Sequence, residues 1–272
     1  MFQRAFQGNK EALGLEYKST LDSIRCMGNI FMEQGKLVEA EEAYQRALHG
    51  CEKTLGPEHT STLRVVNNIG LLYRNQDKLA EAERMYMRAM QGYRKMLDLD
   101  DTPNVVHGLG RTYYYYCDLL RRKRLASCPT ILPKLTEADE FGSKIKSLAH
   151  LCKRFGVLSP CLFGFLGRVL IWDGQAENAI IALEQQMNPE CGGIICDGCR
   201  KLLGLSNKLF VCEVCLDINL CIECHDNYKR QGVLVKKFSE SCQGHEFIAI
   251  PRENWVKPGD GIISFKGMSS KL

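Results

Sequence analysis

Apolar residues recur at helical spacing through the first two thirds of the chain. Ile24, Met27 and Phe31 lie on one face of a predicted helix, and Val66, Ile69 and Tyr73 repeat that face. A second helix follows each, carrying Ala40, Ala43, Tyr44 and Ala47, then Ala82, Met85, Tyr86 and Ala89. The two units are related by an offset of 42 residues. Gly28-Asn29-Ile30-Phe31 recurs as Gly70-Leu71-Leu72-Tyr73, and Tyr44-Gln45-Arg46-Ala47 recurs as Tyr86-Met87-Arg88-Ala89. Gly28 and Gly70 sit where the partner helix must come close. Alanines and one tyrosine fill the contact. Gly35-Lys36 and Asp77-Lys78 predict the turn inside each pair, and Leu55-Gly56-Pro57 stops the second helix because proline cannot continue it.

The pattern extends in both directions. Phe2-Gln3-Arg4-Ala5 matches the second helix, so the chain begins inside a helix whose partner would precede it. That predicts either an exposed apolar stripe over Met1–Leu13 or a longer array of which this chain is a part. After Asn104 the repeat degrades. Val106, Leu109, Gly110 and Tyr113 fit a first helix, and Arg121-Arg122-Lys123-Arg124 falls where a turn is expected. Part of the run Tyr113–Tyr116 is expected to face outward. Cys128-Pro129 to Pro133 breaks the helix, and Thr136-Glu137-Ala138-Asp139 caps another running to about Arg154. A last pair places Gly167, Gly174 and Ala179 at an offset of 139 from Gly28, Gly35 and Ala40.

Gly28, Phe31, Ala40, Tyr44 and Ala47, with Gly70, Tyr73, Ala82, Tyr86 and Ala89, resemble the tetratricopeptide repeat in its 42-residue form, seen in kinesin light chains. The resemblance implies a solenoid of helical hairpins over 1–188: a half repeat 1–19, repeats 20–61 and 62–103, a degenerate repeat 104–156 and a repeat 159–188. Such a solenoid has a concave face lined by first helices. On that face the register places Arg25, Asn29, Asn67, Arg74, Asn75, His107 and Arg111, suited to clamping an extended, acidic peptide.

The periodicity then gives way to cysteine pairs. Cys196-x2-Cys199, Cys212-x2-Cys215, Cys221-x2-Cys224 and Cys242-x2-His245 supply eight soft ligands, enough for two tetrahedral zinc sites. Disulfides or buried thiols are the competing readings. Short β-like runs, Lys208–Val211 and Glu246–Ile250, join the pairs. A segment this small cannot bury enough apolar surface to fold unaided, so metal must hold it.

The order of pairs resembles the ZZ-type zinc finger over residues 190–252, leaving 253–272 as a tail in which Trp255 is expected to pack on the module. The resemblance implies a cross-brace. Cys196, Cys199, Cys221 and Cys224 would share one structural zinc, and Cys212, Cys215, Cys242 and His245 the other. The family commonly has histidine where Cys242 stands. His225 is a competing ligand, disfavoured because it abuts Cys224. Cys191 is read as a linker residue. The resemblance also implies a peptide pocket at Asp197, Asp217 and Asn219, in which Asn219 lacks the charge of an aspartate.

The fold expected is therefore mainly α: a helical-hairpin solenoid followed by a small, zinc-stabilised, β-rich module. Composition narrows the function. The 272 residues carry 45% hydrophobic and 25% charged residues and a formal net charge of +4, too small to imply nucleic acid by itself. Met1–Lys10 is polar and reads as helix rather than as a secretory leader, and Leu162–Trp172 is interrupted by Arg168 well short of a membrane span. Cys26, Cys51, Cys117, Cys128, Cys152 and Cys161 show no pairing pattern and read as small buried hydrophobes. A reducing intracellular compartment is expected, cytoplasmic rather than nuclear. No phosphate loop, His-Glu-x-x-His run or nucleophile elbow is present. The expectation is a non-enzymatic adaptor for protein or peptide partners. The alternatives are a nucleic-acid-binding zinc protein and a RING-like ubiquitin ligase. Acidic residues between the ligands, Asp197, Glu213, Asp217 and Glu223, argue against the first, and six leading cysteine ligands against the second.

Overall fold

The computed structural model describes residues 18–98, 102–127, 140–156, 161–186, 194–196, 198–199, 201–203, 208–212, 218–231, 233–235 and 241–250. The expectations for the leading half repeat, the break at 128–133, the cap at 136–139, Cys191 and the tail lie outside these residues. The described residues fall into two compact units, one ending at Ser127 and the other beginning at Glu140.

The first unit is five helices: α1 (Lys18–Glu33), α2 (Leu37–Leu55), α3 (Thr60–Asn75), α4 (Leu79–Leu97) and α5 (Pro103–Ser127). Each packs on the next, and α1, α3 and α5 also touch in succession, as in stacked hairpins. Glycines set the helix spacing. A Cβ at Gly28 would lie 2.5 Å from Tyr44 Cε1, and one at Gly70 would lie 2.7 Å from Tyr86 Cε1. A second pair, not anticipated, does the same at the other end of each hairpin: Gly50 faces Leu21 and Gly92 faces Leu63. Ala40, Tyr44, Ala47, Ala82, Tyr86 and Ala89 are fully buried in these contacts.

The turns inside the hairpins are the same in three places. Lys36 N–H reaches Phe31 O at 2.9 Å, Lys78 N–H reaches Tyr73 O at 2.9 Å, and Gln175 N–H reaches Leu170 O at 2.9 Å. This closure needs a left-handed residue just before the donor, and φ is 73° at Gly35, 57° at Asp77 and 74° at Gly174.

Two expectations for α5 are corrected. The run Arg121–Arg124 lies within the helix, not at a turn. The tyrosine run does not face outward: Tyr113, Tyr114 and Tyr116 are buried and Tyr115 is half-buried. Helices α3 and α4 both pack on α5, so its apolar surface is wider than a single amphipathic stripe.

The second unit begins with α6 (Glu140–Phe155), α7 (Cys161–Trp172) and α8 (Ala176–Gln186). Helix α6 packs on α7, and α7 on α8. Ala179 and Leu183 are buried as Ala40 and Tyr44 are, and a Cβ at Gly167 would lie 2.5 Å from Leu183 Cγ. Leucine thus fills the place that tyrosine fills in the earlier hairpins.

The chain then becomes short strands. Antiparallel β1 (Ile194–Ile195) and β2 (Leu202–Leu203) pair through Ile194↔Leu203. A three-stranded sheet has the order β4-β3-β7, from β3 (Leu209–Cys212), β4 (Asn219–Cys221) and β7 (Phe247–Ile250). Helix α9 (Ile222–Gln231) follows β4 directly, and β5 (Val233–Val235) pairs with β6 (Ser241–Gln243). Leu209, Val211, Ile218, Leu220 and Ile250 form a small core that also includes Leu183 of α8.

Candidate metal centre

Four cysteines from two separate segments converge in the second unit. Cys196 leaves β1, where its N–H bonds Lys201 O at 2.9 Å and closes a tight loop carrying Cys199. Cys221 ends β4, held in register opposite Leu209, and Cys224 lies in the first turn of α9. The sulfurs of Cys196, Cys199, Cys221 and Cys224 all lie within 4.8 Å of one another. Four thiolates on a tetrahedral zinc with Zn–S near 2.3 Å have sulfurs about 3.8 Å apart. Cys199 Sγ and Cys221 Sγ are separated by 3.7 Å, so this donor set fits that ion.

The surroundings suit a thiolate. Cys221 N–H donates to Cys196 Sγ at 3.3 Å. Burial would raise the Cys196 thiol, but backbone donors at Cys199, Cys221 and Gly198 outweigh it and bring it down to about 7. Cys224 goes the other way, pushed up by burial and by the neighbouring sulfurs. Gly198, between the first two cysteines, is pressed against Cys224: a Cβ there would lie 2.6 Å from its sulfur.

A second convergence is described in part. Cys212 ends β3, its N–H bonded to Ile218 O at 3.1 Å. Its sulfur lies 3.6 Å from His245 Nδ1. Sulfur and nitrogen donors on one tetrahedral zinc stand about 3.6 Å apart, so this pair also fits. Cys215 lies outside the described residues, as does the side chain of Cys242. Tyr228 of α9 braces His245 from both sides: its hydroxyl donates to His245 O at 3.0 Å and accepts from His245 N–H at 2.7 Å. Sequence reasoning missed Tyr228, although its place four residues after Cys224 on a helix was a usable signal.

His225 is not part of either group. Its ring stacks on Phe210 at 3.8 Å and meets the edge of Phe247 at 5.4 Å, in a buried aromatic sandwich. Of the expected peptide pocket, Asp197 and Asp217 lie outside the described residues. Asn219 is half-buried, and its Oδ1 accepts from Arg168 Nη2 of α7 at 2.6 Å.

The concave-face residues of the first unit are mostly committed internally. Arg74 and Asn67 are buried, not displayed. Arg74 pairs with Asp118, and Asn29 accepts from Tyr44 and from Asn68. Arg25 bonds Asp22. Asn75 is exposed but accepts from Arg74. The described side chains of the basic run are likewise engaged: Arg121 and Arg122 pair with Asp118, and Lys123 with Glu83. The shortfall is physical, since the repeat register gives a helix face but not the depth at which the next helix covers it.

The isolated cysteines are unremarkable. Cys51, Cys117 and Cys152 are buried, and Cys26 and Cys161 half-buried. Burial pushes the Cys51 thiol up to about 11.

Comparison with known proteins agrees with the helical part. Residues 19–95 match the family model described as tetratricopeptide repeat, which spans α1 through most of α4. The chain is similar to BtubC (BKLC) from P. vanneervenii, at 16% identity over 68% of each chain and a TM-score of 0.38. It is also similar to a putative kinesin light chain with nearly identical TPR-like repeats from Podosopora anserina. That match has 19% identity, covers 68% of this chain and 82% of that one, and has a TM-score of 0.36. No curated protein matches the chain. Residues 19–95 thus carry tetratricopeptide repeats, the described residues are mainly helical, and they include a cysteine cluster able to hold a metal ion.

Proposed function

We propose that the protein is a non-enzymatic interaction scaffold whose helical repeats engage a protein or peptide partner and whose cysteine-rich end is a ZZ-type module built on two structural zinc ions. The observation that carries the reading is the meeting of the first and third cysteine pairs, with Cys199 and Cys221 at a zinc-like sulfur separation. Pairs drawn from separate segments tie the module together as a cross-brace, where sequential pairing would leave two independent loops. With four protein donors at a site no position is open for water or substrate, so the metal has a structural role. Cys212, Cys215, Cys242 and His245 would hold the second ion. Tetratricopeptide arrays are generally non-catalytic scaffolds, which supports the adaptor reading.

Of the basic residues Arg121, Arg122 and Lys123, the first two pair with Asp118 and the third with Glu83, which does not favour the nucleic-acid alternative. The test is elemental analysis of the purified full chain together with its circular dichroism after chelation. Two zinc ions per chain and loss of the module's β signal on chelation are expected. A zinc-free chain that keeps its β signal would refute the proposal.

A further inference from the structure

Arg168 is the one charged residue in an otherwise apolar helix, Cys161–Trp172, and it is only 5% exposed. A guanidinium at that depth is costly unless acceptors meet it. One acceptor comes from the cysteine-rich module: Arg168 Nη2 donates to Asn219 Oδ1 at 2.6 Å. The same two parts share a core. Leu183, with Ile171 and Ile180 beside it, belongs to the apolar cluster of Val211, Ile218 and Leu220. Asn219 sits on β4 two residues before the ligand Cys221, so the acceptor and the metal centre are on one strand.

We propose that the module is a cap on the last helical hairpin, locked by Arg168 in the acceptor site that Asn219 offers, and that this site takes an internal guanidinium in place of a peptide cation. The chemistry is that of a cation-recognition site filled in cis. The end of a helical array presents an apolar face with no further repeat to cover it. Here α8 carries Leu183 in place of the hydroxyl-bearing Tyr44 and Tyr86, and that leucine bridges Gly167 and the module core. A glutamine or alanine at 168 would leave the hairpin packed but unlocked. An aspartate at 219 would strengthen the lock by making it a charge-assisted bond.

The test is hydrogen exchange on the full zinc-loaded chain, comparing wild type with Arg168→Ala, Asn219→Ala, the double variant and Asn219→Asp. Each single alanine variant should speed exchange of α7, α8 and β4 together by about tenfold, with α2 and α3 unchanged. The double variant should be no worse than either single, and Asn219→Asp should slow exchange. Additive single effects, or faster exchange of β4 with α7 and α8 unmoved, would overturn the proposal. A second arm adds a peptide with a free N-terminal amine. Binding by Arg168→Ala and not by wild type is expected, and equal binding by wild type would overturn the internal occupancy. The cap's link to metal and the comparison with a peptide cation rest on the ZZ-type reading, while the Arg168–Asn219 lock does not. Zinc content is measured on the same samples, so loss of that reading is scored separately from the exchange pattern.

Discussion

Arg74 Nη1 donates to Asp118 Oδ2 at 2.6 Å, and both side chains are buried between α3 and α5. Burial would raise the Asp118 carboxyl, but Arg74, Arg122 and Arg121 outweigh it and hold it below its ordinary value. One carboxylate therefore neutralises part of three guanidinium groups. Asp118→Ala should destabilise the first unit by about 3–5 kcal/mol, because it strands Arg74 in the interior. Chemical denaturation followed by helical signal checks this. A loss under about 1 kcal/mol would mean that water reaches the pair.

The repeat itself was legible in the sequence. Gly28, Tyr44 and their partners 42 residues later stand where the period put them, and the cysteine spacing marked Cys196, Cys199, Cys221 and Cys224, which the structure brings together. Partners from distant helices were not legible. Nothing local tells that Arg74 meets Asp118 or that Arg168 meets Asn219, since each depends on how hairpins stack. The Gly50–Leu21 and Gly92–Leu63 contacts share the same period, and attention to glycines outside the first helix would have found them.

His107 gives the first unit a mild acid sensitivity. Burial, then Arg111 and Arg64, hold its imidazole down at about 4. The unfolded chain binds a proton near its ordinary 6.5, so stability present above that pH is lost as pH falls from 6.5 towards 4. The full effect is about 3 kcal/mol at most. Thermal melts across this range should show wild type losing stability on acidification relative to His107→Gln, which has no titrating group there. Parallel curves would contradict the assignment.

The three left-handed turn residues allow a substitution test without packing effects, since a Cβ at Gly35 or Gly174 would meet nothing within 4 Å. Gly35→Ala and Gly174→Ala should each cost about 1 kcal/mol through backbone strain alone. Asp77→Gly should be neutral or slightly stabilising. Denaturation midpoints of the three variants give the comparison, and an unchanged Gly35→Ala would argue that the turn relaxes.

Gly198→Ala forces a methyl onto the Cys224 sulfur. Zinc affinity of the full chain, measured by competition with a chromophoric chelator, should fall by about tenfold or more at the proposed site of Cys196, Cys199, Cys221 and Cys224. A second variant, Gly198→Ser, carries the same Cβ and should fail alike. Wild-type affinity in both variants would show that the loop has room.

The most direct test of the cross-brace is native mass spectrometry of two double variants of the full chain. Cys196→Ser with Cys221→Ser removes two ligands from one predicted site, so one zinc ion should remain bound. Cys196→Ser with Cys212→Ser strikes both predicted sites, so neither ion should be retained at stoichiometric occupancy. The reverse pattern, with one ion retained in the second variant and none in the first, would mean that consecutive cysteine pairs share a metal and would contradict the arrangement of Cys196, Cys199, Cys221 and Cys224 around one ion.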